Sequence, residues 1–183
     1  MKKYLILVFT VLFFSCVEKQ KTPIESINVL YYNYIFEPMI SVTCDEIVYR
    51  SPKNDTIYIE GDEYWIDDGG ILDTIITDKK VLEGIENELK KTKKRKDYGI
   101  DARMKCYINF KDGNIDTICI DSSPVCGYYN GKSMQFTNKF AYLIRKNCGF
   151  YEWFVPEMLQ YFDELNDTTY VREKIKTRWG DEY

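Results

Sequence analysis

The sequence predicts an α+β domain made mainly of antiparallel β-sheet, with two or three helices packed on one face. Three observations support this fold class. Short segments rich in β-branched and aromatic residues recur, Asp-Gly and Asn-Gly pairs stand between such segments, and apolar residues at helical spacing follow residues that cap helices. We expect one domain over residues 27–183, with 155–183 as a helical C-terminal extension.

The first predicted strands lie in the N-terminal half of the chain. Residues 27–36 are apolar or aromatic on both faces, and residues 40–44 alternate after the break at Pro38. Further short strands, bracketed by polar turns and glycines, are expected at 57–60, 64–66 and 71–77.

Residues 103–120 form the clearest predicted hairpin, with apolar residues alternating on both sides of an Asp112-Gly113 turn. If these two are the only loop residues, Cys106 lies directly opposite Cys119, at a position where Cα atoms are about 4.5 Å apart. A Cys106–Cys119 disulfide is then geometrically feasible. Two free thiols packed as small apolar side chains are the alternative.

Two helices are predicted from capping residues followed by apolar positions three and four apart. Asp78 caps the first helix. Its apolar face consists of Val81, Leu82, Ile85 and Leu89. A second hairpin is expected around Asn130-Gly131, after which Thr137 caps another helix that Gly149 ends. Its apolar face consists of Phe140, Leu143 and Ile144.

The C-terminal extension is also expected to be helical. Pro156 fits the first turn of a third helix. The apolar face of this helix consists of Met158, Leu159, Phe162 and Leu165. A further short helix is expected in residues 167–183, bearing Val171, Ile175 and Trp179.

The first fifteen residues have the pattern of a signal peptide, because two lysines precede an apolar run over residues 4–14. This run is too short to cross a bilayer, which needs about 20 residues. The segment Phe13-Phe14-Ser15-Cys16 resembles a lipobox, so we expect cleavage after Ser15, lipid attachment to Cys16, and a tether over residues 16–26. Ordinary secretion with an unmodified Cys16 thiol is the alternative.

Several segments of the chain resemble segments of small lipoproteins from the Bacteroidota, and the function of these lipoproteins is uncharacterised. The segments are Asp101 to Lys105, Tyr107 to Gly113, Asp116 to Ile120 and Asn130 to Lys132. The resemblance covers residues 27–150 and implies an envelope location and a similar hairpin architecture. It carries over no functional residue.

The composition excludes several classes of function. The chain has no histidine, which removes Ser-His-Asp and Cys-His chemistry and the commonest metal ligand. Because it also lacks a Cys-x-x-Cys pair, we expect no metal site and no cofactor. Residues 1–15 hold two of the 25 basic residues and none of the 29 acidic ones, so the mature chain has a net charge of −6 and we expect no nucleic-acid partner.

Two groups of residues are candidate binding sites. Aromatic side chains can form a platform for sugar rings or for a partner protein, with core packing as the alternative. The candidates are Tyr64, Trp65, Tyr128, Tyr129, Tyr151 and Trp153, and we single out Tyr64, Trp65 and Trp153. The acidic segment 60–68 has the carboxylates that calcium binding or glycoside hydrolysis requires, but it lacks the spacing of a calcium loop. A solvated hairpin tip is the simpler interpretation.

These observations favour a non-enzymatic protein that is anchored in the cell envelope by its lipid and binds an envelope protein or a glycan. The expected location is the outer membrane, with the periplasmic face preferred to the surface. A carboxylate-based enzyme acting on glycans and a lipoprotein that neutralises a competitor's toxin stay open as alternatives. No catalytic residue is predicted.

Overall fold

The computed structural model describes residues 22–32, 41–48, 54–59, 62–67, 71–180 and 182–183. The strands of this described part are β1 Ile24–Tyr32, β2 Asn54–Ile59, β3 Asp62–Asp67, β4 Ile71–Ile76, β5 Lys93–Lys94, β6 Ala102–Phe110, β7 Ile115–Asp121, β8 Cys126–Tyr129 and β9 Lys132–Gln135. The helices are α1 Lys79–Leu89, α2 Asn138–Asn147, a 3₁₀ helix Phe150–Trp153, α3 Pro156–Leu159 and α4 Asp163–Asn166.

Seven strands form one antiparallel sheet in the order β4-β1-β6-β7-β8-β9-β5. The two longest of them, β1 and β6, lie side by side. The strands β2 and β3 pair with each other in a separate hairpin. A mostly antiparallel sheet combined with helices is an α+β fold, so the predicted fold class is confirmed.

Both long helices begin at the capping residues that the sequence indicates. The Asp78 carboxylate accepts a hydrogen bond from the Val81 N–H at 2.9 Å, and the Thr137 hydroxyl accepts one from the Phe140 N–H at 3.0 Å. The helices α1 and α2 contact each other and share one core with the sheet. This core includes Leu82, Ile85, Phe140 and Ile144 of the helices and Ile27, Val29, Cys106, Ile108, Ile118 and Ile120 of the strands.

The opposite face of the sheet is covered in part by residues 41–48. We expected a strand at 40–44, but the described part of this segment forms a turn instead. The Ala102 N–H donates to the Val42 carbonyl at 2.8 Å, and the Val42 N–H donates to the Asp101 carboxylate at 2.9 Å, so the segment is bonded to the start of β6. A smaller buried cluster results, made of Leu30, Val42, Ile47, Ile71 and Ala102.

The hairpin between β6 and β7 is present, but its predicted register is wrong by one residue. The Phe110 N–H donates to the Asn114 carbonyl at 2.9 Å, so three residues form the loop rather than two. Gly113 is the last of them and has a φ of 82°. Three-residue hairpin loops commonly end in a left-handed residue, which glycine adopts without a steric penalty.

This register removes the predicted Cys106–Cys119 disulfide. Cys119 lies opposite Lys105, and Cys106 is a free thiol buried on the helix side of the sheet. Cys119 is bonded instead to Cys44, with the two Cα atoms 5.8 Å apart. The disulfide fastens residues 41–48 to the face of the sheet opposite the helices.

The strand β1 begins at Ile24, inside the expected tether. The Pro23 carbonyl accepts a hydrogen bond from the Lys111 N–H at 3.2 Å, and the Thr22 hydroxyl donates to the Asp112 carboxylate at 2.7 Å. The chain therefore enters the sheet beside the tip of the β6–β7 hairpin.

The C-terminal extension packs against α2 in a third apolar cluster. Pro156 begins a helix as predicted, but this helix ends at Leu159, and α4 follows as a separate short helix. Where we expected a further helix, the described residues of 167–183 contain turns and a single bridge between Lys176 and Glu182. The buried residues of the cluster are Tyr142, Tyr151, Phe154, Leu159, Leu165 and Ile175.

A buried ion pair joins this extension to α2. The Arg145 guanidinium bonds to the Glu164 carboxylate at 2.6 Å, and the Tyr151 hydroxyl donates to the same carboxylate oxygen at 2.9 Å. Arg145 also lies over the Phe150 ring, 4.6 Å from its centroid. Burial and the neighbouring Glu164 raise the pKa of the Tyr151 hydroxyl well above its usual range, which keeps it protonated as a donor.

Candidate functional site

A groove of about 660 Å³ lies on the face of the sheet opposite the helices. Because side chains alternate along a strand and Cys106 and Ile118 point to the helices, their neighbours on β6 and β7 face the groove. These neighbours are Lys105, Tyr107, Thr117 and Cys119. The segment 41–48, the loop before β6 and the β8–β9 hairpin add Thr43, Cys44, Asp45, Asp97, Tyr128, Asn130 and Gly131.

Lys105 is the most unusual residue of the groove because it is a lysine with only 8% of its surface exposed. Its neighbours across the strands are Leu30 and Cys119. Its ammonium lies 5.4 Å from the centroid of the Tyr107 ring. No carboxylate in the described part of the chain forms an ion pair with it. The groove therefore holds a positive charge next to an aromatic ring.

Tyr128 is held in place at the groove by Asp97. The tyrosine hydroxyl donates to the Asp97 carboxylate at 2.6 Å, and the Gly99 N–H donates to the same oxygen at 3.0 Å. These two hydrogen bonds hold the pKa of Asp97 below its usual range, and the first of them raises the pKa of Tyr128. Asp97 is therefore a fixed negative charge at the groove.

The turn between β8 and β9 orders a further polar side chain at the groove. Asn130 and Gly131 have φ angles of 47° and 73°, as a type I′ hairpin turn requires. The Asn130 side-chain oxygen accepts from the Thr117 N–H at 2.8 Å, and its amide nitrogen donates to Asp116 at 2.7 Å. The amide is thus fixed by bonds to two residues of β7.

No family model, curated protein or solved structure matches this chain. Within the described residues, no helix combines the length and apolar character needed to cross a membrane. The same part of the chain contains no group of three or more cysteine or acidic side chains arranged to hold a metal ion.

Of the aromatic residues proposed from the sequence, Tyr128 lines this groove, whereas Tyr151 and Trp153 do not. Trp153 is half-buried between the main core and the C-terminal cluster, and the Arg178 guanidinium lies 3.4 Å from its ring centroid. Its ring face is therefore covered. Tyr64 and Trp65 lie on β3 opposite Ile57 and Thr56, and their side chains are outside the described part of the structure.

Two other sequence predictions lie outside the described residues. Cys16 precedes the first described residue. In the acidic segment 60–68, the backbone of 62–67 is described, whereas its carboxylates are not. The lipidation site and the acidic loop therefore stay predictions.

Apart from Tyr128 and Cys119, the sequence does not single out the groove residues, because those on β6 and β7 occupy outward strand positions, where polar side chains are ordinary. One usable indication was present, since Lys105 and Tyr107 share a strand face with each other. The groove itself depends on the contact between residues 41–48 and β7, across a sequence separation of 75 residues. Local patterns do not contain that contact.

Proposed function

We propose that this protein is a lipid-anchored protein of the cell envelope that binds a glycan in the groove, without transforming it. The observation that carries the proposal is a groove in which an aromatic ring, a lysine and several hydrogen-bonding side chains converge. Sugars present apolar C–H faces that pack on aromatic rings and hydroxyl groups that bond to polar side chains. Tyr107 supplies the ring, and Thr117 and Asn130 supply polar groups.

The dimensions of the groove favour a glycan over a folded protein. A volume of about 660 Å³ is within the range of about 300–1,000 Å³ that is usual for small-ligand sites. A stable protein partner covers about 800 Å² of surface on each side, which is a broader and flatter contact. We therefore assign the groove to a short saccharide.

The groove is also held in shape before any ligand binds. The Cys44–Cys119 disulfide fixes one lining segment, and the hydrogen bonds of Asp97 and Asn130 fix two lining side chains. A ligand then orders few groups when it binds, and less of its interaction energy is spent on that ordering. This rigidity supports a binding role.

Replacement of Tyr107 by leucine is expected to weaken saccharide binding about tenfold, because the apolar volume is kept while the aromatic face is lost. Isothermal titration against a panel of oligosaccharides from bacterial envelopes and plant and host glycans measures the effect. Tyr161→Leu is the matched control, since Tyr161 is 79% exposed and does not line the groove. A wild-type protein that binds no member of the panel, or equal affinities for the two variants, would contradict the proposal.

Anchoring through Cys16 is a separate part of the proposal, with its own test. Cells that express the protein and are fed an alkyne-tagged fatty acid are expected to label the wild type but not Cys16→Ala. Cys126→Ser, which changes a partly buried free cysteine, should keep the label. Labelled Cys16→Ala protein would exclude this anchor. Protease treatment of intact cells then distinguishes the preferred periplasmic face from the surface, because a periplasmic protein stays intact.

The short tether orients the domain with respect to its membrane in this proposal. Residues 17–21 reach at most about 18 Å when fully extended. Thr22 and Pro23 are bonded to the tip of the β6–β7 hairpin, so this end of the sheet lies nearest the lipid. The groove residues Thr117 and Asn130 belong to the same half of the sheet.

A further inference from the structure

We infer that the saccharide bound in the groove carries a carboxylate and that Lys105 binds this group, an inference that rests on the proposed function and names its ligand class. The stem of Lys105 is buried, whereas its ammonium, which has no ion-pair partner in the described part of the chain, reaches the groove. A lysine stem can lie against apolar neighbours while its ammonium stays in contact with water, where it is available to a ligand. A bound carboxylate supplies the missing partner.

The other charged side chains buried in the described part of the protein all have such partners. Glu88 is bonded to Lys91 at 2.7 Å and to the Thr137 hydroxyl at 2.8 Å. Arg145 and Glu164 neutralise each other. Lys105 differs from them because its ammonium has no ion-pair partner and faces the groove, with the centroid of the Tyr107 ring 5.4 Å away.

The charges around Lys105 favour a carboxylate over a phosphate. A phosphate monoester carries a charge of about −1.5 to −2 at pH 7, whereas a carboxylate carries a single charge that one ammonium neutralises. Asp45 and Asp97 also line the groove, and the hydrogen bonds of Asp97 keep it ionised. These two carboxylates repel any negative charge on the ligand, and they repel a doubly charged group more strongly than a singly charged one. The ligand class is therefore a sugar acid, such as a uronic acid or a sialic acid.

The test compares saccharides that differ in the carboxylate. Titrations use a disaccharide with a single uronic acid residue together with its methyl ester, and sialyllactose together with lactose, so that each acid carries one carboxylate. We expect the wild type to bind the acid of one pair at least about tenfold more tightly than its neutral counterpart, with an advantage that declines as salt is added. The pair that shows this advantage identifies whether the bound sugar acid is a uronic acid or a sialic acid.

Variants of Lys105 assign the effect to this residue. Lys105→Met should reduce affinity for the acid to that for the neutral sugar, and Lys105→Arg should keep part of the difference. The melting temperature of Lys105→Met should be close to that of the wild type, because methionine keeps most of the buried apolar stem. Lys111→Met, at an exposed lysine of the hairpin tip, should behave as wild type.

The possible failures are distinguishable. Equal affinity of the wild type for acids and neutral sugars would overturn the carboxylate inference and leave glycan binding standing. Binding of no saccharide would overturn both. An acid preference that persists in Lys105→Met would assign the carboxylate to another residue and overturn the role of Lys105.

Discussion

Replacement of Arg145 by methionine is expected to lower the free energy of unfolding by about 3–5 kcal/mol. Glu164 has an exposed fraction of 0%, and its carboxylate is paired with Arg145 at 2.6 Å. Removing the guanidinium leaves a negative charge inside an aromatic cluster, with the Tyr151 hydroxyl as a remaining donor. Because the ion pair joins α2 to α4, the C-terminal extension should detach first.

Urea titration followed by tryptophan fluorescence measures the loss. The double variant with Arg145→Met and Glu164→Leu should lose less stability than the single variant, because no charge is then left buried. Lys79→Met is the control at an exposed ion pair, where Lys79 and Glu83 are 3.9 Å apart and Lys79 is 90% exposed, and it should change stability by less than about 1 kcal/mol. A loss below about 1 kcal/mol for Arg145→Met would show that the pair is dispensable.

Removal of the Cys44–Cys119 disulfide is expected to cost about 2–5 kcal/mol of stability. The bond closes a loop between residues that are 75 positions apart, so its loss restores much conformational freedom to the unfolded chain. The folded state is affected as well, because residues 41–48 are fastened to the sheet by this bond. Because we propose that the groove binds a saccharide, the paired variant Cys44→Ala with Cys119→Ala is expected to lose saccharide affinity in addition to stability.

Two measurements separate this prediction from its alternatives. Peptide mapping of the oxidised protein should give a linked pair of peptides containing Cys44 and Cys119, and a linked pair containing Cys106 and Cys119 would contradict the structure. Cys126→Ala removes a free thiol and should leave both the unfolding midpoint and saccharide binding close to wild type. Equal stability of the wild type with and without reductant would show that the bond contributes little.

The parts of the fold that sequence predicts well depend on local patterns. Asp78 and Thr137 cap helices whose apolar faces were visible at helical spacing, and Asn130-Gly131 forms the expected hairpin turn. In each case, the residues that form the sequence pattern are only a few positions apart in the chain and also contact each other in the structure. The alternation of the strands likewise indicated a mostly antiparallel sheet.

The parts that sequence does not predict depend on single-residue register or on distant contacts. Asp112-Gly113 is compatible with a hairpin loop of two residues or of three. Only the three-residue loop allows Cys119 to bond to Cys44 and not to Cys106. In the C-terminal extension, the apolar residues from Met158 to Leu165 matched the spacing of one helix. Their side chains instead pack into a cluster with α2, and the chain there forms two short helices. The groove depends on both the β6–β7 register and the Cys44–Cys119 disulfide.

The position of Cys106 on the helix side of the sheet has a consequence for how the protein matures. Cys106 follows Cys44 more closely in the sequence than Cys119 does, so pairing of cysteines in sequence order would link Cys44 to the wrong thiol. Hairpins form in about 1–10 µs, whereas disulfides form in seconds or longer. Once β6 and β7 pair, Cys106 and Cys119 lie on opposite faces, and Cys119 is the one on the face that Cys44 approaches. Pairing of β6 with β7 before oxidation therefore leaves Cys119, and not Cys106, on the face that Cys44 can reach.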